Sequence, residues 1–462
     1  MRNHRTNPTL VVRAGAILAA SLLSLTLTPA NAQTLQTLQI LKGASNGGQP
    51  WAAPVSDAAG NFYGTTSVGG DGVCYSGEWK TGCGAVYELS PPASGNRWTD
   101  TLIYQFRDLE DGYYPESGLV FDTAGNLYGA TEGGGNQPYH CGTVFELSPP
   151  PSGSGSWTKS TLYSFNCDAN GGHPEAGVVF DKIGNLYGTT TLDGGAGNGD
   201  CSASYGGCGV IFELSPPSRV GANWSETVLY DFQGGTDGSY PASALVFDGN
   251  GNLYGVTPAG GSENCGYDTG CGTVFELSPP SSHGGPWTES ILHSFSSDPD
   301  DGYLPRSGMV FGNSGDLYGV TEAGGPNNYG TVFQLAPPVA PGGTWTETVI
   351  FGFGPTDGAG EGPFGTPAVG SNGTIYGTTE FGGTLEEGSA FQLAPPAAPG
   401  GPWVETTLTT FTNHAYPLAG LTLGHDGWLY GGTLGALGSR DCATGVHGQI
   451  IDCGELFRIL PQ

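Results

Sequence analysis

The heptapeptide GNLYGTT at Gly184–Thr190 returns six more times with small edits: GNFYGTT from Gly60, GNLYGAT from Gly125, GNLYGVT from Gly251, GDLYGVT from Gly315, GTIYGTT from Gly373 and GWLYGGT from Gly427. From Gly60 to Gly427 is 367 residues, so six intervals give a period near 61. That is the size of a four-stranded propeller blade with generous loops. A unit this small cannot bury its apolar faces alone, so the seven copies must pack on one another.

Each unit carries four strand-like runs, which in the second copy are SGLVFD from Ser117 (A), GNLYGAT from Gly125 (B), GTVFELS from Gly142 (C) and WTKSTLYSF from Trp157 (D). All are rich in β-branched and aromatic residues and bounded by Gly, Pro, Asn or Asp, and no helix-period pattern occurs beyond the first 32 residues. A proline stands ten residues before the strand-B glycine in every copy: Pro50, Pro115, Pro174, Pro241, Pro305, Pro363 and Pro417. Proline suits the first position of a strand, where no ladder hydrogen bond needs its N–H. Strand B keeps a Tyr-Gly pair, expected to let neighbouring blades approach at the glycine and to fill the space with the tyrosine. The tryptophans opening strand D (Trp98, Trp157, Trp224, Trp287, Trp345, Trp403) are expected to pack between blades rather than to form a sugar-stacking platform.

The ends complete the count. TLQTLQILKG at Thr34–Gly43 resembles a lone D strand, and the chain finishes on GELFRILPQ, a C strand with no D after it. The prediction is an all-β, seven-bladed β-propeller of four-stranded blades, its ring closed by the N-terminal strand completing the last blade. It occupies residues 33–462 as one domain. Residues 1–32 read as a signal peptide: Arg2, Arg5 and Arg13, an apolar run from Ala14 that is too short to span a bilayer, then Ala30-Asn31-Ala32. Removing it takes the formal charge from -29 to -32, a surface that repels nucleic acid and anionic lipid.

The repeating unit, GNLYGTT followed by GG, GTVFELSPP, WTETLYSF-like and GLVFD segments, resembles the GloVer (Gloeo/Verruco) tandem-repeat family of exported bacterial proteins. The resemblance implies an exported β-rich repeat protein and brings no catalytic residues with it. Many members carry a C-terminal anchor; none is found after Gln462, which favours free secretion, extracellular or periplasmic, as a monomer with no membrane insertion. The C–D hairpin GTVFELSPPSSHGGPWTES from Gly272 is also similar to the blades of quinoprotein dehydrogenase propellers. That supports the fold alone: there is no adjacent-cysteine pair and no quinone-stacking tryptophan arrangement, and no cofactor is predicted.

Strand parity puts the B–C and D–A loops on one face. Ten cysteines in an exported chain favour disulfides: Cys74–Cys83, Cys201–Cys208, Cys265–Cys271 and Cys442–Cys453 within B–C loops, and Cys141–Cys167 joining a B–C loop to the following D–A loop. No CxxC spacing suggests zinc, and no metal site is predicted. On this stapled face two sets of residues are candidates. Asn46, Asp111, Asn170, Asp237, Asp301 and Asn413 stand four residues before the proline and are expected to ring the channel mouth, as turn formers or as oxygen ligands for a cation or polyol; blade 6 has Ala359 there, with Asp357 nearby. Glu132, Glu322 and Glu380 follow strand B in blades 2, 5 and 6, and Glu322 with Glu380, on adjacent blades, is the candidate acid/base pair. His173 and His414, beside Pro174 and Pro417, are candidate bases. No GxSxG, HExxH, P-loop or dinucleotide motif occurs in a supporting context.

Two functions are therefore expected: first a secreted binding or scaffold module engaging glycans or extracellular proteins through the stapled face, second a carbohydrate-active hydrolase or lyase. An enzyme should break the repeat at a few inward positions, with unmatched acidic, His, Tyr or Arg side chains converging in one pocket.

Overall fold

Asp57 shows how the repeated phrase becomes a turn. Its Oδ1 accepts hydrogen bonds from the backbone N–H groups of Ala59 (2.8 Å) and Asn61 (2.9 Å), and its Oδ2 from the Asn61 side chain (2.8 Å) and the Tyr63 hydroxyl (3.2 Å). One carboxylate thus fixes the A–B turn and the entry to strand B, and Asp122, Asp181 and Asp248 repeat the arrangement.

The structure is a computed structural model. It describes residues 35–461 except 44–45, 77–78, 152, 154, 195–200, 202–206, 220, 262–264, 266–269, 283, 341, 355–357, 359, 399, 413–414 and 436–452. Seven four-stranded antiparallel sheets form a ring, a seven-bladed propeller. In blade 1 the strands are A (Val55–Ser56), B (Phe62–Thr66), C (Ala85–Ser90) and D (Thr99–Gln105). Blades 2 to 6 repeat this order, and blade 6 adds a short fifth strand, Glu361–Pro363, paired with its strand B. Strand A is only two residues long in each blade, shorter than the sequence suggests. In blade 7, Gln36–Lys42 pairs antiparallel with Cys453–Ile459, with Thr37 opposite Phe457 and Leu41 opposite Gly454, so the N-terminal strand does close the ring. No helix among the described residues is long and apolar enough to cross a membrane.

The glycine of the Tyr-Gly pair has a different task from the one expected, whereas the tyrosine fills the space between blades as expected. The glycine does not bring blades together; it faces an aromatic ring of its own blade. Gly129 lies opposite Phe145 on strand C, and a Cβ there would stand 2.8 Å from that ring and from Leu119. The ring folds over the glycine's bare backbone, an aromatic cover that compensates for a residue otherwise poor in strands. The tyrosine makes the inter-blade contact. Tyr63 meets Phe121 (5.3 Å, edge-on) and Trp157 (6.0 Å) of blade 2, Tyr187 meets Phe247 and Trp287 of blade 4, and Tyr430 of blade 7 stacks on Phe62 of blade 1 at 3.8 Å. The tyrosines and tryptophans therefore build the packing between blades.

The proline does not open strand A. Its ring sits on the glycine that opens strand C of the preceding blade: a Cβ on Gly142 would stand 2.5 Å from Cδ of Pro174, and Gly454 relates in the same way to Pro50 across the ring closure. The residue before each proline is held in the left-handed region, with φ of 46 to 61° at Gln49, Tyr114, His173, Tyr240, Leu304 and Tyr416, and 60° at Gly362. Non-glycine residues there are strained and persist when surrounding bonds over-determine them. Here the bonds are visible. Tyr114, His173, Tyr240 and Leu304 donate their N–H groups to the carbonyls of Cys83, Cys141, Cys208 and Cys271 of the preceding blade, at 2.7 to 3.2 Å. Each accepting residue is half of a cystine.

Candidate functional site

Four disulfides join Cys74–Cys83, Cys141–Cys167, Cys201–Cys208 and Cys265–Cys271. The second ties a B–C loop to a D–A loop and so fixes those loops on one face. Cys453 is buried in blade 7; its expected partner Cys442 lies outside the described residues. Four cystines require an oxidising environment for folding. Their further effect is local, because each anchors a carbonyl that accepts the inter-blade hydrogen bond.

At the centre of that face is a cavity of about 270 Å³. It is walled by the residue after each seam proline and its neighbours, one set from every blade: Trp51, Glu116, Glu175, Ala242, Arg306, Phe364 and Leu418. At this position the repeat stops repeating. Trp51 and Phe364 meet edge-on at 6.4 Å, and the indole N–H donates to Ser67 Oγ at 3.1 Å, making an apolar wall on the side of blades 1 and 6. Glu116 and Glu175 stand on blades 2 and 3, and Arg306 on blade 5.

Glu132 joins the carboxylates: its N–H donates to the carbonyl of Tyr114, and its side chain approaches His173 Nδ1 to 3.9 Å. Burial, then the charges of Glu132 and Glu175, push the Glu116 carboxyl up to about 8. Glu175 is raised to about 7, again by burial and by Glu132, with Thr191 and Arg306 opposing. Burial raises Glu132 and lowers His173. Opposite them Arg306 Nε lies 2.5 Å from Glu322 Oε2, and Glu380 is raised to about 7 by burial and by Glu322, with Arg306 opposing. Arg306 acts on both Glu175 and Glu380, so the two groups share one electrostatic site. Carboxylic acids that hold protons near neutrality, beside one strong cation, can donate and accept protons or hydrogen-bond a hydroxyl-rich ligand.

The structure thus gathers Glu132, Glu322, Glu380 and His173 around the channel mouth with Glu116, Glu175 and Arg306, which sequence reasoning did not single out. The signal for those three was present as a change of size and charge directly after an invariant proline. Asn413 and His414 lie outside the described residues, as do Asp357 and Ala359.

The remaining Asp and Asn residues are not at the channel. Asp111 accepts from the Tyr104 hydroxyl at 2.8 and 2.9 Å, Asp237 from Tyr230 at 2.5 Å, and Asp301 pairs with His293 at 3.2 Å; Asn170 donates to the Tyr163 hydroxyl at 3.2 Å, and Asn46 to Asp100 at 3.0 Å. All these partners are on D strands, the outermost of each blade, so the set lines the seams at the rim. A larger open groove, about 1100 Å³ and lined by residues such as Asn136, Gln137, Tyr163 and Trp224, also lies on the rim, remote from the charge cluster.

A search of curated proteins finds no match to this sequence. Among solved structures the chain is similar to one described as a calcium structure of a Trichoderma reesei carbohydrate-active enzyme of family AA12, at 14% identity over 94% of this chain and 96% of that one, TM-score 0.39. It is also similar to a protein of unknown function from Dyadobacter fermentans, at 12% identity over 92% and 99% of the two chains, TM-score 0.41. The model of the Gloeobacter/Verrucomicrobia repeat matches residues 21–267 and 207–444, and the chain, with its seven in-register blades, belongs to that repeat family.

Proposed function

We propose that this protein is a secreted, monomeric binding module that takes glycans, or other hydroxyl-rich extracellular or envelope material, at the mouth of its central channel on the disulfide-stapled face. The observation that carries this is the break in the repeat directly after the seam prolines, where seven blades contribute seven side chains to one cavity and three of them are Glu116, Glu175 and Arg306. Carboxylates and a guanidinium bond sugar hydroxyls, and Trp51 offers an apolar ring face beside them. The acidic surface, -29 over the whole chain, argues against nucleic acid as the ligand.

The second reading, a glycoside hydrolase or polysaccharide lyase, is favoured by one observation: Glu116 and Glu175 hold protons near neutral pH beside the third carboxyl of Glu132. A proton-holding carboxyl next to others is the arrangement in which one group serves as acid and another as base. A glycan array run beside an activity screen on plant and bacterial polysaccharides tests both. Under the binding reading, a glycan is retained without new reducing ends or unsaturated products, and Glu175→Gln or Arg306→Ala weakens retention at least tenfold. Turnover abolished by Glu116→Gln or Glu175→Gln selects the enzyme. Retention unchanged in all three variants removes the channel mouth as the site.

A further inference from the structure

The rim seams are built from three recurring positions: the residue two after the strand-D tryptophan, the residue six after it on the preceding blade, and the Asp or Asn of the D–A loop between them. Between blades 1 and 2 they are Lys159, Tyr104 and Asp111. The Lys159 ammonium sits 3.1 Å from Asp111 Oδ1 and 5.5 Å above the Phe106 ring. In this seam the protein supplies its own cation. Between blades 4 and 5 the same positions hold Glu347, His293 and Asp301, a second carboxylate in place of the lysine and an imidazole in place of the tyrosine.

His293 Nε2 lies 3.2 and 3.3 Å from the two Asp301 oxygens. Asp301 is oriented by the N–H and hydroxyl of Ser296, each at 3.0 Å, and by its own neighbour's N–H at Gly302, 2.8 Å. One ligand atom from each of His293, Asp301 and Glu347 lies within 4.8 Å of the other two. Glu347 Oε1 is enclosed and accepts no hydrogen bond, although an enclosed carboxylate oxygen needs a partner.

We propose that His293, Asp301 and Glu347 bind a divalent transition-metal ion of the zinc class, which joins blades 4 and 5 as Lys159 joins blades 1 and 2. An imidazole with two carboxylates suits such an ion better than calcium or magnesium, which prefer all-oxygen sites. The His293 and Asp301 side chains keep 22% and 12% of their exposure, so the ion enters from solvent and water completes its coordination. The seam between blades 3 and 4 is an internal comparison: Asp237 and Glu289, whose Oε1 is likewise without a hydrogen bond, stand in the equivalent places, but Tyr230 takes the histidine's position and leaves that trio without a nitrogen ligand.

The test is equilibrium dialysis of the chelator-stripped full chain against Zn²⁺, with metal analysis and thermal midpoints. One ion per chain is expected, with a rise in midpoint on binding. His293→Tyr and Glu347→Lys, both residues the repeat itself uses at those positions, should each weaken binding at least tenfold while circular dichroism stays unchanged. Glu347→Lys should also raise the metal-free midpoint. His425→Gln, an exposed histidine elsewhere, should change nothing. No zinc retained above the chelator blank, or equal stoichiometry in both seam variants, overturns the proposal.

Discussion

Glu116→Gln separates a half-buried carboxyl, coupled to its neighbours, from a solvated one by the pH dependence of stability. Folded, Glu116 holds its proton up to about pH 8; its ordinary value is 4.5. Between those values the folded chain binds more protons than the unfolded chain, so stability falls as pH rises through the window. The loss is absent below about pH 4.5 and complete above about pH 8. One pKa unit corresponds to about 1.4 kcal/mol, which sets a ceiling near 5 kcal/mol for the whole shift. Glu116 is only half-buried and faces an open mouth where water screens it, so about half of that ceiling, ~2.5 kcal/mol, is the expected cost at pH 8.5. Glutamine has the same shape and no charge to desolvate. The variant should therefore match the parent at pH 5 within about 0.5 kcal/mol and exceed it by ~2.5 kcal/mol at pH 8.5. Unfolding entropy of about 2.1 cal/mol/K per residue converts this to a rise of roughly 3 °C for a chain of this length. Urea titrations and thermal scans at the two pH values supply the numbers. An equal effect at pH 5 and pH 8.5, or a less stable variant at pH 8.5, would refute the burial and charge coupling assigned to Glu116 with Glu132 and Glu175.

The packing and covalent claims are open to simpler checks. Gly129→Ala drives a methyl into Phe145 and Leu119 and should cost about 1–3 kcal/mol; a urea midpoint like the parent's would mean that the ring does not cover the glycine. Cys141→Ser with Cys167→Ser should lower stability by about 2–4 kcal/mol, and non-reducing peptide maps of the parent should contain the Cys141–Cys167, Cys74–Cys83, Cys201–Cys208 and Cys265–Cys271 pairs and no exchange among them. Deleting residues 33–42 removes the outer strand of blade 7 and should replace one cooperative transition by a broad, low-temperature one. A sharp unchanged transition would show that the ring closes without that strand.

How much of this was legible follows from which interactions a repeat records. The period and the Tyr-Gly phrase are local patterns copied seven times, and the half-blade at each end is local too, so they carried the fold and its closure, and the even cysteine count carried the four described disulfides. Interactions between blades leave no local trace. A proline before an apolar run reads as a strand start, yet Pro174 is needed because Gly142, 32 residues earlier on the preceding blade, offers a bare backbone for its ring. Radial position is equally invisible. The D–A loop must cross from the outermost to the innermost strand, three spacings or about 14 Å, and Asp111 stands only six residues after strand D ends at Gln105 and nine before Val120 begins strand A. It is therefore still at the rim, bonded to Tyr104, when the sequence pattern alone places it merely somewhere on the correct face. Glu116, Glu175 and Arg306, beside the expected Glu132, Glu322, Glu380 and His173, escaped notice for the opposite reason. Attention to residues that recur selects those that hold blades together, because every seam needs the same parts, whereas a single cavity on the ring's axis is reached once by each blade and gains nothing from seven identical side chains. The position after the proline varies in size and charge among Trp, Glu, Ala, Arg, Phe and Leu, while the proline itself is invariant and the next two positions stay small. In a closed ring that variation falls on the one cavity every blade reaches, which is why the proposed binding at this face is tested at Glu116, Glu175 and Arg306.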